Sequence, residues 1–99
     1  MKGERRVVIT GMGMVSPVGN SADESWKNIM AGVSGAGPVP HFDAAEFPVT
    51  FSCSVKDSFD PLEYLTKKDL RKMDSFILYG MAAGVQAFKD SGLEISEEN

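Results

Sequence analysis

Few side chains in this chain have the types and spacing that chemistry requires. Lys67, Lys68, Arg71 and Lys72 set four cations inside six residues. On a helix Lys67 and Arg71 lie one turn apart, as do Lys68 and Lys72. Such a group can steer and orient an anionic partner. The blander alternative is a solvated helix face worth little to stability. A second candidate is Gly11-Met12-Gly13, directly after the apolar run Val7-Val8-Ile9. Glycines at a strand end can admit a dinucleotide pyrophosphate at the start of the next helix. Here the third glycine position is Ser16, Pro17 keeps a helix from starting at once, and the next plausible strand lies far beyond where an acidic ribose ligand belongs. Close approach of another backbone accounts for these glycines better.

The remaining candidates are single residues. One cysteine, Cys53, excludes an internal disulfide, and with one histidine, His41, there are too few soft ligands for a structural zinc site. His41 stands among glycines and prolines with no cysteine or serine partner in reach, which is the setting of a loop residue. Cys53 falls on the apolar side of the alternation Val49, Phe51, Cys53, Val55, so it is expected to be a small buried residue. A reactive thiol needs a helix N-terminus or a nearby cation, and neither can be read beside it. No metal and no cofactor is expected.

The net charge of -4 gives no reason to expect a nucleic-acid partner. No stretch approaches the roughly 20 apolar residues that cross a bilayer, and Met1-Lys2-Gly3-Glu4 runs straight into the first strand without an apolar leader. A cytoplasmic protein with no membrane partner is expected.

The elements that position these residues follow from local pattern. Ninety-nine residues make one domain at most. Val7, Val8 and Ile9 are β-branched without polar alternation, as in a strand covered on both faces. Ser21 and Glu24 have capping-box spacing, the Glu24 carboxylate being expected to reach back to the Ser21 amide. Trp26, Ile29, Met30 and Val33 then predict a helix with that face inward, ended near Gly32 and Gly35. From Ser34 to Pro48 the chain reads as an irregular connection, and from Phe47 to Val55 as a half-buried strand. Asp60-Pro61 suits the opening of a short helix, and Thr66 with Asp69 repeats the capping-box logic for a further short one. Ser75 to Phe88 carries no charge and predicts a helix buried all round, started by Asp74 or Ser75 and closed by Lys89 and Gly92. Gly80, Ala83, Gly84 and Ala87 would let a neighbouring backbone approach it.

The run Val7-Val8-Ile9-Thr10-Gly11-Met12-Gly13-Met14-Val15-Ser16-Pro17-Val18-Gly19-Asn20, with Trp26 and Ser34-Gly35 behind it, resembles the amino terminus of the β-ketoacyl-[acyl-carrier-protein] synthases, the condensing enzymes of fatty-acid synthesis. Arg71-Lys72-Met73-Asp74-Ser75-Phe76, and Ala83-Gly84-Val85-Gln86-Ala87 before Asp90-Ser91-Gly92-Leu93, are similar to the elongating, type II enzymes in particular. The resemblance runs the whole chain and covers less than a third of a family member. It implies an α/β fold, the amino-terminal fragment of a thiolase-like layered αβαβα architecture, with residues 1–99 an incomplete part of the domain.

The reaction it implies is a decarboxylative Claisen condensation with malonyl-acyl-carrier-protein. The family's nucleophilic cysteine and its catalytic histidines belong to motifs absent from this chain, so no catalytic residue is assigned and the piece alone is expected to be inactive. The resemblance also implies acyl carrier protein as partner, with Lys67, Lys68, Arg71 and Lys72 in the segment similar to its docking surface, and a homodimer for the full-length enzyme. Two other classes remain open: a non-catalytic, chain-length-factor-like partner of polyketide synthesis, and a small stand-alone interaction domain.

Overall fold

The computed structural model describes residues 3–98. Two of its α-helices begin on local side-chain caps. Helix α1, Ala22–Met30, starts at Ser21, whose Oγ accepts the Glu24 N–H at 3.1 Å. The Glu24 carboxylate accepts the Asn20 amide at 3.3 Å instead of the expected Ser21 amide, so this cap is only half a capping box. The chain leaves α1 through Gly32, at φ 74.

The buried stripe of α1 is the reverse of the expected one. Ser25 is 1% exposed while Trp26 is 64% exposed, and Ile29, Met30 and Val33 are exposed with it. The neighbour on the inner side explains this. Residues Ser16–Gly19 form a tight turn closed by Ser16 N–H to Gly19 C=O at 2.8 Å and Gly19 N–H to Ser16 C=O at 3.2 Å. That turn presents polar groups to the helix. The Ser16 and Ser25 hydroxyls share a hydrogen bond at 2.7 Å, and Asn28 Nδ2 donates to Val18 C=O at 2.6 Å. A polar turn selects the polar stripe, since a buried carbonyl left unpaired would be costly.

Strands β1 (Ala36–Pro38) and β2 (Phe51–Cys53) pair antiparallel, Ala36 opposite Cys53 and Pro38 opposite Phe51. β1 lies inside the stretch expected to be irregular, and β2 is shorter than expected. Only the middle residues, Gly37 and Ser52, are half-buried; Phe51 and Cys53 face solvent, which corrects the expectation of a buried Cys53. A two-stranded ribbon with nothing across its apolar face leaves that face wet. The same cause exposes Val7 (91%) and Ile9 (83%), which belong to no strand: a strand exists through pairing, and none of the described residues pairs with them.

A single 3-10 turn at Pro61–Glu63, capped by Asp60 Oδ1 accepting the Leu62 N–H at 2.9 Å, leads into α2, Lys67–Leu70. Thr66 and Asp69 close a full capping box there, as their spacing predicts. Helix α3, Ser75–Ser91, starts at Asp74 without a side-chain cap and ends at Gly92 in the left-handed region, φ 70. It is not buried all round. Ala82 is fully buried, but Phe76 is 72% exposed, and Gly80 and Gly84 look onto open space.

One face of α3 is closely packed. The Gly11–Met14 segment lies across it, so near that a Cβ on Gly11 would sit 2.6 Å from the Ser91 nitrogen and one on Gly13 2.8 Å from the Ala87 nitrogen. The molecule measures 61 × 37 × 22 Å with a radius of gyration of 17.7 Å, against about 13 Å for a compact chain of 100 residues. Its accessible surface is 8263 Å², where a folded monomer of this mass exposes about 5,500 Å².

Candidate functional site

The cations expected to act together do stand together. α2 begins on its Thr66–Asp69 cap and runs through Leu70, with Arg71 still in helical geometry (φ -69, ψ -16). At about 100° per residue, Lys67, Arg71, Lys68 and Lys72 occupy about 140° of the circumference. Asp69 and Leu70 fall on the other side and are half-buried, whereas all four cations are exposed. None of the four is held in an ion pair among the described residues. The result is a presented arc of positive charge on a chain of net charge -4.

The glycine turn is no phosphate cradle. Two of its amides are already engaged: Met12 N–H donates to Asp90 Oδ2 at 3.0 Å and Met14 N–H to Gln86 Oε1 at 3.0 Å. An anion arriving there would meet the Asp90 carboxylate, which repels it. The glycines serve the approach to α3. His41 is exposed in the loop between β1 and β2, and its neighbour Asp43 caps the Ala45 amide at 3.0 Å. Cys53 is exposed on β2. No three His, Cys, Asp or Glu side chains converge on a possible metal position among the described residues. No helix there is long and apolar enough to cross a membrane.

The residues that sequence reasoning missed are polar side chains inside apolar elements. Gln86 is half-buried on α3 and joins three segments: its Oε1 takes the Met14 amide, while Nε2 donates to Asn20 C=O at 2.6 Å and to Tyr64 Oη at 3.0 Å. Tyr64 stacks on Phe59 with ring centroids 6.2 Å apart, and Phe59 meets Tyr79 of α3 edge-on at 5.4 Å. The signal was an amide in an otherwise apolar helix, since buried polar groups are bonded. An open apolar cavity of about 630 Å³ lies between the glycine turn and α1, walled by Met12, Met14, Trp26 and Ala87 among others.

A family model described as β-ketoacyl synthase, N-terminal domain, matches residues 4–99. The protein named 3-oxoacyl-[acyl-carrier-protein] synthase 2 of Vibrio harveyi is 60% identical over 96 residues, which are 97% of this chain and 23% of that protein. Proteins of the same name from Vibrio cholerae and Coxiella burnetii are 57% and 48% identical over the same shares of each chain. Among solved structures, the ishigamide ketosynthase/chain length factor superposes with a TM-score of 0.82 at 36% identity, covering 93% of this chain and 23% of that one. The chain therefore spans about a quarter of the length of these relatives, over which its path is that of a ketosynthase, the thiolase-like fold. On the match of the N-terminal domain model across residues 4–99, this chain belongs to the β-ketoacyl synthase family.

Proposed function

We propose that residues 1–99 are the amino-terminal part of a β-ketoacyl synthase domain that extends beyond them. The full enzyme elongates acyl chains on acyl carrier protein by decarboxylative condensation with malonyl-acyl-carrier-protein. In that reaction a cysteine thiolate holds the growing chain as a thioester, loss of carbon dioxide from malonyl generates a carbanion, and the new carbon–carbon bond expels the thiolate. The observation that carries this proposal is the 60% identity, over 97% of this chain, to a protein named for that activity. No residue described here supplies the nucleophile or its histidines, so this stretch contributes scaffold and surface.

Within the same proposal, Lys67, Lys68, Arg71 and Lys72 form a docking surface for acyl carrier protein. The exposed, unpaired arc of charge supports this, since such a patch steers encounter and fixes orientation for an acidic partner. A homodimer and a cytoplasmic location complete the proposal. The test is a chimera in which this chain replaces the matching segment of the Vibrio harveyi synthase. Retained condensing activity on carrier-bound substrates supports the proposal, and a well-folded chimera without activity argues against it.

A second proposal, a non-catalytic chain-length-factor-like partner, is favoured by one observation: the superposable solved structure carries chain length factor in its name beside ketosynthase. A cysteine thioester formed by the full protein would exclude it.

A further inference from the structure

The segment Asp60–Lys72 is nearly self-contained in its polar bonding. Asp60 caps Leu62; the amides of Glu63, Tyr64 and Leu65 return to Asp60 or Pro61; Thr66 and Asp69 cap each other; and the amides of Leu70 and Lys72 bond to Thr66 and Asp69. Among the described residues one hydrogen bond leaves the segment, Gln86 Nε2 to Tyr64 Oη at 3.0 Å. Tyr64 precedes the Thr66 cap of α2 by two positions, so this bond lies at the root of the element that presents the cations. The donor is fixed in turn, because Gln86 is also held by Met14 N–H and Asn20 C=O. Ring packing of Tyr64 on Phe59 and of Phe59 on Tyr79 sets the distance to α3, and the Tyr64–Gln86 bond adds a directional contact to it.

We propose that Tyr64, tethered by Gln86, is a positioning residue for docking: its hydroxyl fixes the orientation of the Lys67–Lys72 patch relative to α3. This inference rests on the proposed docking role of the patch. A charged surface that must deliver a tethered substrate in one orientation works only when its own orientation is fixed. In this proposal Tyr64, half-buried against Phe59, acts through the patch it orients.

The test uses Tyr64→Phe, which keeps the ring stack and removes the hydroxyl, in the full-length synthase containing this chain. It is set in a cycle with Lys68→Glu/Arg71→Glu. The expected result is a KM for the acyl-carrier-protein substrate raised about two- to ten-fold, the range of one hydrogen bond, with kcat unchanged and the KM for a small acyl thioester lacking the carrier unmoved. In the charge-reversed background Tyr64→Phe should add nothing, because no patch remains to orient. A Tyr64→Phe enzyme with unchanged KM, or one whose KM rises equally in both backgrounds, overturns the tether while the docking surface stands on the charge reversal alone. Should the charge reversal itself leave KM unchanged, the docking role falls and the tether with it.

Discussion

Met12 and Asp90, 78 positions apart in sequence, are joined by a hydrogen bond of 3.0 Å from the backbone amide of one to the carboxylate of the other. With the parallel bond from Met14 to Gln86, it lays the glycine turn along α3. Alanine at Gly11 or Gly13 would put a methyl group into the α3 backbone, where no flexible side chain can yield. Each substitution is expected to cost about 3 kcal/mol, at the upper end for overpacking. Urea unfolding of the full-length protein measures it, and a variant of wild-type stability would refute the packing argument. Calorimetric titration with NAD or ATP should register no binding to the unsubstituted protein.

Gly80 and Gly84 make the opposite case. Among the described residues, nothing beyond the adjacent backbone of α3 itself lies within 4 Å of the Cβ either would carry. In the isolated chain Gly80→Ala should therefore strengthen α3 by about 1 kcal/mol through helix propensity. In a full-length synthase, a backbone packed on that face would turn the same substitution destabilising. Far-UV circular dichroism of the isolated chain and the melting temperature of the full-length protein read the two signs, and like signs in both would mean that nothing packs there.

The surface of 8263 Å² carries Val7, Ile9, Phe76 and Ile95 well exposed, together with Trp26 and its apolar neighbours on α1. An apolar surface of this extent seeks cover. The isolated chain is expected to bind a hydrophobic dye and to elute as an oligomer or aggregate. A dye-silent monomer with a sharp two-state melt would instead favour an independent interaction domain.

What the sequence made legible was the chemistry that closes within a few residues. The Thr66–Asp69 box, the Asp60 cap and the Gly92 terminus stand where their types and spacing put them, because each is satisfied by its own turn of backbone. The clustering of Lys67, Lys68, Arg71 and Lys72 was legible for the same reason. Faces were not. Trp26, Ile29 and Phe51 have the periodicity of inward residues, yet which side becomes inward depends on what arrives to cover it, and here Ser25 and Asn28 found a partner first in the Ser16–Gly19 turn. β1 was hidden because Ala36-Gly37-Pro38 has the composition of a loop and is a strand only through Phe51–Cys53. Gln86 and Asp90 do their work with backbone amides more than seventy positions away, a separation that no local window spans.

The docking surface is the central functional claim for this chain, and steady-state kinetics of the full-length synthase tests it most directly. Lys68→Glu with Arg71→Glu should raise the KM for acyl-carrier-protein substrates about ten-fold or more at low salt, since reversing two charges turns attraction into repulsion. The difference should shrink as ionic strength rises and the Debye length falls below about 10 Å. Turnover of a small acyl thioester without the carrier should persist. Equal loss on both substrates, or no loss on either, would contradict the claim and leave the four cations as a solvated helix face.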